Sequence, residues 1–180
     1  MRRRRKYDLY LVVILAFITL GYFVYNHVSA ESRGVENYST ALEAYKSSDY
    51  EKAYEDFGKI PSGSTLKHSA LFRQARCATN MDKKELAIKK YNRIVHSNAK
   101  SSIAPISEYN MAILMYETND KRAKKHFKKI IKKYPTSDYA IASNYYLGMI
   151  EISNPPKSEK RLEKSQTKAL INFKSYIEDA

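Results

Sequence analysis

The 180-residue chain is 43% hydrophobic and holds only five glycines and five prolines, so it can build one helical core and has too few chain breakers for a turn-rich β fold. Its one cysteine, Cys77, excludes an intrachain disulfide and a Cys-rich metal site without assigning a redox compartment. The net charge of +13 divides into +4 over the first 30 residues and +9 over the rest, where 27 Lys and Arg face 18 Asp and Glu; the larger part is basic in its own right, either as a solvated Lys-rich surface or as a face drawn to acidic lipid, anionic wall polymer or nucleic acid.

Residues 1–8 form a basic tail, with Arg2, Arg3, Arg4, Arg5 and Lys6 against Asp8. Residues 9–25 (LYLVVILAFITLGYFVY) carry no charge. As a helix they span roughly 26 Å at 1.5 Å per residue, and flanking residues bring that close to the ~30 Å hydrocarbon core of a bilayer. Tyr7, Tyr10, Tyr22 and Tyr25 lie near the two ends, where amphipathic rings sit at headgroup depth, and the positive-inside rule keeps the Arg2–Lys6 cluster cytoplasmic. The expectation is a single-pass anchor in a cytoplasmic (inner) membrane, N-terminus inside and residue 31 onward outside or periplasmic.

A cleavable signal peptide competes with the anchor, because Val28-Ser29-Ala30 before Glu31 is a small-residue cleavage site behind a basic n-region. Against it, the apolar run exceeds the usual length of such a core and keeps bulky aromatics to its end. Both readings export the rest of the chain, a linker over 26–36 and a helical domain over 37–180.

The exported part repeats. A small residue followed one turn later by an aromatic occurs as Ala53/Phe57, Ala87/Tyr91, Ala123/Phe127 and Ala169/Phe173, at spacings of 34, 36 and 46 residues. The Ala lets two helices approach closely and the ring fills the gap to the next hairpin. Polar turns precede the first three: Ser48-Asp49-Tyr50-Glu51-Lys52, Asp82-Lys83-Lys84-Glu85-Leu86 and Asn119-Asp120-Lys121-Arg122. Pro135 ends a helix from Ala123 to Tyr134, since proline disfavours helical geometry in the residue before it and donates no hydrogen bond.

These features resemble the tetratricopeptide repeat, with its 34-residue period and second-helix A-x3-F signature. The first turn matches the family's G-D-Y-x-x-A pattern except that Ser48 stands for Gly, and Leu147-Gly148 matches its first-helix L-G pair. The resemblance covers residues 34–180 and implies an all-α, TPR-like solenoid of about four helix-turn-helix units behind one membrane helix. Three departures stand out: repeat one ends early at Pro61-Ser62-Gly63-Ser64, repeat four carries an insertion around Ser153-Asn154-Pro155-Pro156-Lys157-Ser158, and no tryptophan occupies the first-helix consensus position.

In the third repeat's second helix, Ala123, Phe127, Ile130, Ile131 and Tyr134 share one face. Lysines occupy the other, and Lys124, Lys125, Lys128, Lys129 and Lys132 form a candidate anionic contact, with a solvated face as the bland alternative. Nucleic acid is disfavoured by the export signal. The four histidines have no partners at metal-ligand spacing, Cys77 sits where a small core residue belongs, and Glu55-Asp56 and Glu178-Asp179 read as surface charges. Nucleotide-binding and serine-hydrolase motifs are absent from the 180 residues, so neither a catalytic residue nor a cofactor or metal is expected.

Aligning the repeats places Tyr38, Phe72, Tyr109 and Tyr145 at one first-helix position, with Tyr45 and Tyr116 one or two turns on. The resemblance implies that first helices line a concave groove where partner peptides dock. These rings and Arg76 are the candidate partner-binding set, and packing between hairpins is the alternative. The expected function is a non-catalytic interaction or scaffolding module, tethered at the outer face of the cytoplasmic membrane and supporting envelope protein assembly or secretion. The architecture is similar to that of ancillary subunits of the bacterial secretion translocon. The alternative is the helical front part of a peptidoglycan-processing enzyme, since Tyr134–Ala140 running into Tyr145–Gly148 resembles the helical regions of soluble lytic transglycosylases.

Overall fold

The computed structural model describes residues 2–97, 101–153 and 158–179, with side chains from Tyr10 onward except at Glu159, Glu178 and Asp179. The expected Asn154-Pro155-Pro156-Lys157 loop lies outside the described residues. Among those described, eight helices and no strands occur: α1 (Arg2–Lys46), α2 (Tyr50–Gly58), α3 (Lys67–Asn80), α4 (Lys84–Ser97), α5 (Ile103–Glu117), α6 (Ala123–Lys133), α7 (Asp138–Ser153) and α8 (Glu159–Asp179).

Helix α1 runs 45 residues without a break. Residues 26–36, expected as a linker, are part of it. The segment holds no proline and a single glycine, Gly34, so nothing interrupts the backbone ladder between the apolar stretch and the first repeat helix. From Tyr10 to Val28 the large apolar side chains are exposed on every side. This helix is long and apolar enough to cross a membrane.

The first three polar turns close in the same way. Ser48, Asp82 and Asn119 adopt the left-handed conformation, with φ of 64°, 54° and 54°. In each turn the next residue's N–H reaches back to a carbonyl five residues earlier: Asp49 to Ala44 (3.0 Å), Lys83 to Ala78 (2.9 Å) and Asp120 to Met115 (2.7 Å). The left-handed residue itself bonds three residues back, to Tyr45, Thr79 and Tyr116. This is the Schellman closure, which satisfies helix-end carbonyls that would otherwise be orphaned. Asp49 also accepts from the Lys52 N–H at 3.1 Å and caps α2.

All four repeat alanines are buried, Ala53, Ala87, Ala123 and Ala169, as are the rings of Phe57, Tyr91 and Phe127. The chain divides into two compact units, Met1–Cys77 and Ala78–Ala180. In the first, α1 packs on α2 and the Pro61–Leu66 turn docks against α1. A Cβ on Gly34 would lie 2.7 Å from Ser64 Cβ and closer still to its Oγ, so this approach requires glycine. Beside it, the Glu31 carboxylate accepts from Thr65 N–H (2.9 Å) and Thr65 Oγ1 (2.6 Å). Asp56 departs from its expected surface role. It is buried, receives Lys59 Nζ at 2.6 Å, and its Oδ2 has no hydrogen-bond partner.

In the second unit α4 to α8 pack consecutively and α5 also touches α7. Met111, Phe127, Ile130 and Ile94 are fully buried there. Gly148 lets α8 close onto α7, because a Cβ would meet three Phe173 ring atoms at 2.7, 2.7 and 3.0 Å.

Candidate functional site

The candidate first-helix rings fall into both units and are largely committed to packing. In the first unit Tyr38 meets the buried Phe57 edge-on at 5.3 Å. Tyr45 contacts Tyr50 at 5.4 Å and has the guanidinium groups of Arg73 and Arg76 at 5.7 and 5.6 Å from its ring centre. Tyr45 and Arg76 are therefore brought together, as a cation–π pair. Phe72 is half-buried on α3.

In the second unit Tyr109 touches Phe127, Tyr139 and Tyr146 at 6.3, 5.5 and 6.1 Å. Burial first, then the Tyr146 phenol that it hydrogen-bonds, pushes its hydroxyl up to about 12. Tyr116 packs on Tyr146 at 5.4 Å. Tyr145 is 41% exposed at the cluster's outer edge, against Tyr146, Phe173 and Tyr176. The hub is Tyr146, which also stacks on Phe127 at 5.0 Å with rings 3° from parallel. Aligning repeats on one position selects Tyr145 and passes over this neighbour, which lies on the inward side of α7.

The lysine face of α6 is not uniform. Lys125, Lys128 and Lys132 are exposed. Lys129 reaches Glu108 of α5 at 2.6 Å, and Lys124 reaches Glu151 of α7 at 2.5 Å. Glu108 is fully buried and also faces His126 Nδ1 at 3.2 Å, while its Oε2 has no partner. Burial drives its carboxyl upward, but the hydrogen bonds and charge of His126 and Lys129 outweigh burial and hold it below the usual range. Glu151 behaves alike: burial opposes, while Lys124 and the Ser165 hydroxyl prevail. Two of the five candidate anion contacts thus neutralise internal carboxylates. A single sequence hides this pairing, because Glu108 lies 18 and 21 positions from its partners.

Two depressions flank this region. A cleft of about 520 Å³ is lined by Tyr116, Glu117, Asp120, Lys121, Lys124 and Glu151 among others. A smaller groove of about 210 Å³ is lined by Lys128, Leu147, Glu151, Lys168, Ile171 and Asn172. Among the described residues no three His, Cys, Asp or Glu side chains gather to hold a metal. Cys77 is fully buried, and burial pushes its thiol up to about 11.

A tetratricopeptide-repeat family profile matches residues 69–101 and 107–137. No curated protein matches. The crystal structure of MamA is similar with a TM-score of 0.64 at 16% identity, over 84% of this chain and 81% of that one; at that identity the likeness concerns fold. Together with the buried Ala/aromatic pairs and the repeated hairpin turns, these matches establish tetratricopeptide repeats at residues 69–101 and 107–137 within an all-helical, TPR-like solenoid.

Proposed function

We propose that this protein is a non-catalytic scaffold, tethered by α1 at the outer face of the cytoplasmic membrane, which holds another envelope protein during assembly or secretion. Tetratricopeptide repeats generally mediate protein–protein interaction. The observation that carries the tethered reading is the unbroken helix α1: one rod supplies both an apolar segment exposed on all sides and the first repeat helix. Exposed apolar area of that extent is costly in water and favourable in lipid.

The docking surface of this reading lies on α5 and α7, which carry no Lys or Arg and present Tyr116 and the exposed edge of Tyr145. Aromatic side chains anchor interfaces because they bury large area at low entropic cost. The test expresses the full chain with a C-terminal reporter active only outside the cytoplasm and extracts the membranes with alkaline carbonate. Retention with reporter activity, and partner recovery reduced in Tyr116→Ser/Tyr145→Ser, is expected. A soluble product beginning at Glu31 defeats the tether; unchanged recovery from the double variant defeats the docking surface.

A further inference from the structure

Among the helices of the second unit, Lys and Arg occur on one class alone. The second helices α4, α6 and α8 hold 15 Lys and Arg against 5 Asp and Glu. The first helices α5 and α7 hold none against four carboxylates. Residues 31–77 hold seven of each sign, so the +9 excess beyond residue 30 belongs to the second unit. A cationic surface is therefore built on the second helices, apart from the tyrosine-bearing first helices.

That surface has a groove in which two apolar side chains lie among charged and polar ones. In the 210 Å³ groove between α6, α7 and α8, Leu147 forms the floor at 4% exposure and Ile171 stands at the rim, 61% exposed. Lys128 of α6 and Lys168 of α8 flank it, both exposed. The carboxylate lining the groove, Glu151, is held by Lys124 and Ser165 and also feels the charge of Lys168, so a single carboxylate is shared among two lysines and a hydroxyl. A polyphosphate or another bare polyanion would satisfy the lysines and leave Ile171 uncovered. An acidic amphipathic segment satisfies both, placing a Leu-sized side chain on Leu147 and Ile171 and carboxylates on Lys128 and Lys168. A second copy of this chain is disfavoured by its own +13 charge.

We propose that the α6–α8 groove is a docking site for an acidic amphipathic helix of a partner protein, distinct from the tyrosine surface on α5 and α7. Helix-in-groove recognition reads apolar anchors at i and i+3 or i+4, with complementary charge giving register and on-rate. The probe is a labelled, end-capped 15-residue helix with Leu on one stripe and Glu beside it, titrated into the full chain in uncharged detergent and followed by fluorescence anisotropy. Saturable binding that weakens with salt is expected. It should fall at least tenfold in Ile171→Ser and in Lys128→Glu/Lys168→Glu, and stay within twofold in Lys125→Glu, which reverses a charge outside the groove. Each variant's Tm is measured alongside; Ile171 is exposed, so the fold tolerates its change. Absence of saturable binding overturns the proposal, as does equal binding by Ile171→Ser with full displacement by inorganic polyphosphate, the signature of an unselective polyanion face. Binding equally lost in Lys125→Glu overturns the groove as well.

Discussion

Replacing Ser48 with glycine should stabilise the first unit. Ser48 holds φ at 64°, where an L-residue's Cβ crowds the following carbonyl at a cost of about 1–2 kcal/mol. Glycine escapes that cost but loses more backbone entropy on folding, roughly 0.5–1 kcal/mol, so the net gain is about 0.5–1 kcal/mol. The Schellman bonds survive, because Ser48 N–H to Tyr45 O and Asp49 N–H to Ala44 O are both backbone contacts. The Ser48 side chain is exposed, so trimming it away uncovers no core. For a domain of this size such a gain lifts Tm by several degrees, measured by circular dichroism on the full chain in detergent. Ser47→Gly is the matched control: Ser47 lacks positive φ, and its hydroxyl donates to Ala44 O at 2.9 Å, so it should lower Tm. A Ser48→Gly protein no more stable than its parent, or two variants shifting together, refutes the reasoning.

Gly148→Ala gains up to about 1 kcal/mol of helix propensity but forces a methyl into the Phe173 ring, an overpacking cost of about 1–3 kcal/mol. Tm should fall, and pairing it with Phe173→Leu should restore more than additivity predicts. Lys129→Met leaves Glu108 buried with His126 alone. Because the lysine is 43% exposed, we expect a loss of about 1–2 kcal/mol, below the figure for a fully buried pair, and Glu108→Gln should remove most of that sensitivity. Glu108 and Glu151 have folded pKa values below their ordinary 4.5. Their stabilisation is therefore complete above that value and drains as pH falls through the lowered one. Thermal melts should lose stability as pH falls below about 4.5, and Glu108→Gln should reduce that loss.

Much of this fold is visible in local chemistry. An Ala followed by a ring one turn later needs only its neighbours to declare a close helix crossing, and the four repeat alanines Ala53, Ala87, Ala123 and Ala169 are buried. The polar turns are legible because Asp and Asn tolerate the left-handed backbone that hairpin closure demands; Ser48 shows that the position, more than the residue, sets the conformation. Long-range matters stay hidden. Asp56 reads as a surface charge until α2 turns it inward, and Glu108 finds His126 and Lys129 only when α5 meets α6. The tyrosine alignment reaches the aromatic cluster on α5 and α7 yet misses Tyr146, because equivalence in register does not tell which of two adjacent rings faces the neighbour. The linker over 26–36 rests on mixed composition, which a helix accommodates as readily as a coil.

The unbroken α1 has a geometric consequence. A helix advances 1.5 Å and turns 100° per residue, so, with α1 as the proposed tether, the number of residues between Tyr25 and Glu31 would set both the height of the first hairpin unit above the bilayer and the compass direction in which it points. Inserting one alanine after Val28 would swing that unit by about 100°, whereas seven would lift it roughly 10 Å and return it to within about 20° of its starting azimuth. If a membrane-embedded partner must be faced as well as reached, activity will oscillate with insertion length rather than decay with it. A flexible tether would show no such phase.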